Sequence, residues 1–158
     1  LANFKSVSMR WEEVTLGGVR IINDAYNANP LSMRASIDTF LESPCSGHRW
    51  LVFSGMLELG DREREEHISV GRYIANCLLN GNSRSRVKLV TVGKLGGLIA
   101  LGAESAGMNG EDIMVCDHNA EASRFLLERV GNLDEVLLKA SRGMKLEEVL
   151  HELAGRSI

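Results

Sequence analysis

The chain has 158 residues, of which 44% are hydrophobic and 25% are charged, and its net charge is −3. A chain of this length is expected to fold as one domain over residues 1–158, with a sizeable buried core. The acidic balance argues against a protein that binds a nucleic-acid backbone. An aromatic content of only 5% argues against one that stacks single-stranded bases.

Membrane and export signals are also absent from the sequence. No apolar run reaches the roughly 18 residues of a membrane span, and the first residues do not form a signal peptide. The three cysteines, Cys45, Cys77 and Cys116, are odd in number and widely spaced. This usage predicts buried thiols in a reducing, intracellular compartment. Because the chain starts at Leu1 without a methionine, we expect it to be a piece of a longer protein.

The first predicted element is a β-hairpin, in which 11–16 and 19–22 are strand-like and flank the turn Gly17-Gly18. Strand-like and helix-like segments then alternate. Helices are predicted over about Pro30–Glu42, from a cap at Asp61, from Gly93, over Asn119–Val130, and over a last amphipathic segment with Leu146, Val149, Leu150 and Leu153. Strands are predicted over Arg49–Phe53 (apolar throughout, hence buried on both faces), Val87–Val92, Asp112–Cys116 and Glu135–Lys139.

This alternation predicts an α/β fold with a Rossmann-like, doubly wound and mostly parallel sheet. The leading hairpin is expected to add an antiparallel edge strand to it.

Polar chemistry is concentrated in the stretch 23–30, which joins a strand to a helix. Asn29 is suited to cap that helix and Pro30 to occupy its first position. Loops of this kind bind ligands at the carboxyl edge of a parallel sheet, often anionic ones. Asp24 is therefore a candidate acceptor for ribose hydroxyls, and Asn27 and Asn29 are candidates for contacts with phosphate or carboxylate oxygens. The alternative is that Asp24 and Asn29 only satisfy N–H groups of the turn and the cap.

Two further loops are expected at the same edge of the sheet. Residues 54–61 follow the strand at Arg49–Phe53, and residues 140–143 follow the last strand. A helix N-terminus is expected next to the second of these loops, and three polar residues converge on it: Lys139 at the end of the strand, and Ser141 and Arg142 in the loop. This arrangement predicts an anion site, with Arg142 suited to bidentate contact with a carboxylate. A surface turn with a solvated arginine is the alternative.

Other candidate motifs are weaker. His67 follows Glu63 by one helical turn and is interpreted as a surface or supporting histidine, since no second histidine or cysteine nearby completes a metal site. The glycines of 93–97 are spaced G-x-x-G-G, which predicts a closely packed helix start, and only this imperfect run favours an NAD-dependent enzyme. No G-x-x-x-x-G-K-[ST] phosphate loop is present, so the chain does not hold a triphosphate in that manner.

Four motifs give the chain a resemblance to the C-terminal domain of the Mur ligases. They are 23–30 with Ser32-Met33-Arg34-Ala35, Met56-Leu57-Glu58-Leu59-Gly60 with His67, Thr91-Val92-Gly93-Lys94, and 138–143. They follow the family's order and cover nearly the whole chain. The first resembles the branch of the family that adds D-alanyl-D-alanine to UDP-N-acetylmuramoyl-tripeptide.

The resemblance implies a three-domain enzyme of which this chain is the third domain. In that family ATP phosphorylates a substrate carboxylate, and the incoming amine attacks the acyl phosphate. ATP and Mg²⁺ are expected to bind mainly to a missing central domain, and the tripeptide nucleotide to a missing N-terminal one. The full enzyme is expected to be a monomer in the cytoplasm or the plastid stroma, and the isolated domain to be inactive. The alternative is a non-catalytic α/β domain that binds a nucleotide or a protein partner.

The resemblance also implies roles for individual residues. Arg10 is expected to reach the ATP phosphates and Asp24 to hold the ribose. The neighbours expected on the nucleotide side are Tyr26, Asn27 and Asn29. The residues expected on the dipeptide side are Lys139, Ser141 and Arg142.

Two positions depart from the family pattern. Gly55 stands where the family usually has an aspartate. The contacts that this aspartate would orient, to the substrate or to supporting side chains, are therefore in question. A divergent ligase or one of reduced activity is one implication. Met9 stands where a glycine usually precedes the arginine and is expected to alter only the local turn.

Overall fold

The computed structural model describes residues 11–81 and 86–156. In this part of the chain the strands are β1 (Glu12–Leu16), β2 (Val19–Asp24), β3 (Arg49–Phe53), β4 (Val87–Val92), β5 (Ile113–Cys116) and β6 (Glu135–Lys139). The α-helices are α1 (Pro30–Glu42), α2 (Glu63–Asn80), α3 (Gly93–Ser105), α4 (Asn119–Arg129) and α5 (Glu147–Arg156). Short 3₁₀ turns lie at Gly60–Arg62, Gly110–Asp112 and Arg142–Met144.

The predicted hairpin is present at one edge of the sheet. β1 and β2 pair antiparallel, with Leu16 opposite Val19. Gly17 and Gly18 have φ values of 54° and 82°, so both central residues of the turn are left-handed, as a type I′ turn requires. The prediction of an antiparallel edge strand is therefore confirmed.

The other pairings in the sheet are parallel, and the strand order is β1-β2-β6-β3-β4-β5. The last strand of the chain thus lies between β2 and β3. Side chains of α1, α2 and α3 form a buried cluster with one face of the sheet, and side chains of α4 and α5 form a cluster with the other. β6 leads to α5 on one face, while its two neighbours lead to helices on the other face. Such a topological switch point is where open α/β sheets bind ligands.

The register places the ends of three central strands at the same level. Asp24 at the end of β2 and Phe53 at the end of β3 both lie opposite Lys139 at the end of β6. β3 is buried at all five positions, as its continuous apolar sequence predicts. Loops that leave these strands therefore start side by side.

Helices α2 and α3 approach each other very closely. A Cβ atom added at Gly71 would lie 1.9 Å from the carbonyl oxygen of Ile99, and one added at Gly102 would lie 2.0 Å from the carbonyl oxygen of Ile68. Any side chain at either position would force the helices apart. Gly96 is also packed, with its Cβ position 3.3 Å from the Phe53 carbonyl oxygen, which confirms the closely packed start predicted for α3.

The start of α2 differs from the prediction. Asp61 does not cap the helix, because it lies inside the 3₁₀ turn Gly60–Arg62 and α2 begins only at Glu63, without a side-chain cap. The loop before it turns through left-handed residues at Glu58 and Gly60, with φ values of 65° and 59°. Among the described residues, no helix combines the length and the apolar character needed to cross a membrane.

Candidate functional site

The central feature of the carboxyl edge is a buried ion pair between β2 and β6. Asp24 is 5% exposed and Lys139 is 2% exposed. The Lys139 Nζ donates to Asp24 Oδ2 at 2.8 Å and to the carbonyl oxygen of Asn27 at 3.1 Å. The hydroxyl of Ser36 donates to the same Oδ2 at 2.7 Å. Because a buried charge is costly unless it is paired and hydrogen-bonded, this arrangement fixes both side chains in place.

Ser141 joins the three loops that were predicted at this edge. Its hydroxyl accepts the Leu57 N–H at 2.8 Å and donates to the Ala28 carbonyl oxygen at 3.4 Å. Its own N–H donates to the Gly55 carbonyl oxygen at 2.9 Å. The loops after β2, β3 and β6 are therefore held together by hydrogen bonds around one buried serine.

Tyr26 and Arg142 meet on the open side of this junction. The Arg142 guanidinium lies 5.3 Å from the centre of the Tyr26 ring, a cation–π contact. The two side chains line a cavity of about 200 Å³ with Asn23, Ala25 and Glu147. A residue expected on the nucleotide side is thus in contact with one expected on the dipeptide side.

The two candidate asparagines both have local hydrogen bonds. Asn29 Oδ1 accepts the Ser32 N–H at 2.8 Å, and Ser32 Oγ accepts the Asn29 N–H at 3.0 Å, which is a capping box. Asn27 Oδ1 accepts the Ala28 N–H at 2.9 Å. The Asn29 oxygen is therefore used as the cap predicted from the sequence. The side chains of Asn27 and Asn29 are exposed, and their Nδ2 groups remain as donors.

A second cavity, of about 480 Å³, opens at the same edge beyond Ser141, and Ser54, Gly93, His118 and Met144 are among its lining residues. Gly55 is tightly enclosed next to it. A Cβ atom at Gly55 would lie 2.8 Å from Leu95 Cδ1 and 3.3 Å from Met144 Sδ. An aspartate at this position would therefore collide with Leu95. The glycine found here, in place of the family's usual aspartate, fits the apolar side chains packed around it.

His67 is not a surface residue, and that part of its interpretation is wrong. It is fully buried, its Nε2 lies 2.8 Å from the Met56 nitrogen, and its Nδ1 lies 2.6 Å from the Glu63 carbonyl oxygen. The contact with Glu63 is to the backbone and not to the carboxylate. His67 belongs to the buried stripe of α2 with Val70, Gly71 and Ile74. A polar residue on an apolar helical stripe was the signal for its burial.

Ser36 has the same signal, and its role was not predicted from the sequence. It lies on the buried face of α1 with Met33, Ile37 and Phe40. A lone hydroxyl on such a face needs a hydrogen-bond partner. That partner is Asp24.

The cysteines have different environments. Cys116 at the end of β5 is buried, and burial raises the pKa of its thiol to about 11, so it is protonated at neutral pH. Cys45 and Cys77 are only partly buried, so the expectation of buried thiols is wrong for them.

Among residues 11–81 and 86–156, no group of three His, Cys, Asp or Glu side chains is placed to hold a metal ion. Arg10 lies outside the described residues.

Comparison with known proteins identifies the family and the fold. Residues 9–142 match the family described as Mur ligase, glutamate ligase domain. Because this match covers most of the chain, the chain belongs to the Mur ligase family as its C-terminal domain.

Within the family, the chain is similar to one branch. It is 36% identical over 154 residues to the UDP-N-acetylmuramoyl-tripeptide–D-alanyl-D-alanine ligase of Bacillus subtilis, covering 97% of this chain and 32% of that protein. It is 31% identical over 155 residues to the Escherichia coli enzyme of the same name, covering 97% of this chain and 31% of that one. The chain thus spans about a third of the length of the curated relatives it matches.

Two solved structures give the same result. The MurF ligase from Thermotoga maritima in complex with ADP superposes with a TM-score of 0.71 at 26% identity, over 93% of this chain and 30% of that one. MurF from Acinetobacter baumannii superposes with a TM-score of 0.76 at 27% identity, over 92% of this chain and 30% of that one. The Rossmann-like fold class predicted from the sequence is confirmed.

Proposed function

We propose that residues 1–158 form the C-terminal domain of an ATP-dependent ligase that adds D-alanyl-D-alanine to UDP-N-acetylmuramoyl-tripeptide. The observation that carries this proposal is the junction of Asp24, Lys139 and Ser141 at the topological switch point of a Mur ligase domain. The names of the Bacillus subtilis and Escherichia coli relatives support the choice of substrates. We further propose that the full enzyme is a cytoplasmic monomer.

In the proposed reaction, ATP transfers its γ-phosphoryl group to the terminal carboxylate of the tripeptide. The amine of D-alanyl-D-alanine attacks the resulting acyl carbon, and the tetrahedral adduct expels phosphate. An acyl phosphate is hydrolysed by water, so the site must close before the phosphoryl group is transferred. The proposed contribution of this domain is to close over the ATP and to present the dipeptide. Mg²⁺ would neutralise the phosphates from the central domain.

On the nucleotide side, we propose that Asp24 accepts the ribose hydroxyls. Both of its side-chain partners bind Oδ2, which leaves Oδ1 for the sugar. Lys139 holds the carboxylate in a fixed orientation, which lowers the entropic cost of binding. The Tyr26 ring and the Nδ2 groups of Asn27 and Asn29 are proposed neighbours of the nucleotide. Arg10 is the proposed contact to the ATP phosphates.

On the dipeptide side, we propose that Arg142 binds the terminal carboxylate of D-alanyl-D-alanine. A guanidinium forms paired hydrogen bonds with a carboxylate, and Arg142 is the exposed cation of this loop. Ser141 holds the loops that form the wall of this subsite. Lys139 acts from behind them, since its ammonium group is bonded to Asp24 and to the backbone of Asn27.

Arg142→Ala in the full-length enzyme tests the dipeptide assignment. We expect the KM for D-alanyl-D-alanine to rise by about tenfold or more, because a charge-assisted hydrogen bond contributes about 1.5–3 kcal/mol, while the KM for ATP stays within about twofold. Arg124→Ala removes an exposed arginine from α4 and serves as the matched control.

Steady-state kinetics with each substrate varied in turn gives the answer. An unchanged KM for the dipeptide in Arg142→Ala would remove Arg142 from the site. A rise in the KM for ATP alone would move it to the nucleotide side.

A further inference from the structure

The loop after β3 has few regular contacts of its own and is held from three directions. Ser54 donates its hydroxyl to the Val92 carbonyl oxygen at 2.8 Å, which holds the start of the loop on β4. Ser141 binds the Gly55 carbonyl oxygen and the Leu57 N–H from the loop after β6. Between them, the Met56 N–H is bound by the imidazole of His67 from α2. Leu57 therefore connects the loop to the proposed dipeptide side, and Met56 connects it to α2.

The hydrogen bonds of His67 determine its protonation state. A backbone N–H can only donate, so Nε2 must accept the Met56 N–H at 2.8 Å. The Glu63 carbonyl oxygen can only accept, so Nδ1, which lies 2.6 Å from it, must carry the proton. The imidazole is thus neutral and in the Nδ1–H tautomer. Both ring nitrogens are used, and the ring is fully buried.

The position of this bond distinguishes His67 from an ordinary core histidine. Glu63 lies in the same helix, but Met56 lies in the loop, next to the residue whose N–H reaches Ser141 Oγ at 2.8 Å. Successive N–H groups of Met56 and Leu57 are therefore fixed by two side chains from different elements. Without an acceptor at His67, the Met56 N–H would be buried without a partner, which a structure relieves by moving the loop.

We propose that His67 is a positioning residue of the ligase, whose neutral imidazole holds Met56 so that Leu57 meets Ser141 on the dipeptide side. This inference rests on the proposed function. It predicts that a change at His67 affects the binding of the dipeptide more than the binding of ATP, although the imidazole itself touches neither substrate.

Three variants of the full-length enzyme test the proposal. His67→Leu fills the cavity but offers no acceptor. His67→Gln extends an amide oxygen about as far as Nε2 and can still accept the Met56 N–H. His151→Leu removes an exposed histidine from α5 and is the matched control.

The readout is the KM for D-alanyl-D-alanine and for ATP. We expect His67→Leu to raise the dipeptide KM about tenfold, the equivalent of about 1.4 kcal/mol, and to leave the KM for ATP within about twofold. His67→Gln is expected to restore most of the loss. An unchanged dipeptide KM in His67→Leu, equal rises in both KM values, or no rescue by glutamine would each overturn the proposal.

A measurement on the unmodified enzyme covers the case in which His67→Leu does not fold. Nitrogen-15 NMR of histidine-labelled full-length enzyme is expected to show an unprotonated Nε2 for His67 whose resonance shifts when D-alanyl-D-alanine binds. A protonated Nε2, or no response to saturating dipeptide, contradicts the proposal. Wild-type enzyme that forms no product defeats the proposed function, whereas active enzyme with an indifferent His67→Leu variant defeats only this inference.

Discussion

Asp24 and Lys139 are each almost completely buried, and either charge alone would be strongly unfavourable in that position. Together they satisfy one another, with Ser36 and the Asn27 backbone completing the hydrogen bonds. The pair therefore has two consequences for the molecule. It ties β2 to β6, and it presents a carboxylate of fixed orientation at the edge where the substrates are proposed to bind.

The energetic coupling of this pair can be measured. Asp24→Ala is expected to lower the free energy of unfolding by about 3–5 kcal/mol, because it leaves the Lys139 ammonium buried without its partner. The double variant Asp24→Ala, Lys139→Met is expected to recover part of this loss, since the unpaired charge is gone. Urea denaturation of the three proteins gives the comparison. Equal stabilities of the single and double variants would contradict the expected cost of an unpaired Lys139 charge.

Individual residues were predictable from the sequence where the determining contacts are local. The Asn29 cap and Pro30 at the first helical position depend on neighbours within four residues, and both are present. The pairing of Asp24 with Lys139 joins residues 115 positions apart. Both residues were candidates, but their contact depends on β6 lying beside β2. Sequence periodicity does not contain that information.

The contact between α2 and α3 is the clearest constraint among the elements. Gly71 and Gly102 each face a backbone carbonyl oxygen of the other helix at a distance that excludes a side chain. The small-residue character of α3 therefore serves helix packing, and the sheet face that α2 and α3 cover depends on it.

An alanine substitution tests this packing directly. Gly71→Ala is expected to destabilise the fold by about 1–3 kcal/mol, because the helices must separate. Gly97→Ala in α3 is the matched control, since no atom lies within 4 Å of its Cβ position. There the change should stabilise the helix by about 0.5–1 kcal/mol. Thermal unfolding curves distinguish the two, and a neutral Gly71→Ala would contradict the close contact.

Most strands and helices were predicted because their hydrophobic periodicity is strong. The differences are at the ends of elements, as at Asp61, which lies in a 3₁₀ turn and not at the cap of α2. Two left-handed residues, Glu58 and Gly60, set that geometry. A glutamate in the left-handed region is rare, so this conformation was not expected at Glu58.

On the scale of the whole molecule, the strand order explains why the functional candidates meet. β6 inserts between β2 and β3, so three loops that are distant in sequence leave the sheet side by side. The alternation of strands and helices predicted that these loops lie at one edge of a parallel sheet. Which strands are neighbours is determined only by the tertiary fold. The contact of His67 with Met56 was not predicted either, since Met56 lies in a loop without periodicity.

One wall of a ligase active site is proposed to lie on this domain, and the chain covers 32% and 31% of its Bacillus subtilis and Escherichia coli relatives. The remaining machinery is proposed to lie on the other domains of the full-length protein. The reactive acyl phosphate is expected only when these parts close together. Activity is therefore expected only of the full-length protein, and the isolated domain is expected to show none.

The most direct test of this account is product formation by the full-length protein that contains this domain. The protein is incubated with ATP, UDP-N-acetylmuramoyl-tripeptide and D-alanyl-D-alanine, and the products are identified by mass spectrometry and by phosphate release. We expect the UDP-N-acetylmuramoyl-pentapeptide, with equal amounts of ADP and phosphate, and no turnover when any one substrate is omitted. Nucleotide binding without formation of the pentapeptide would contradict it.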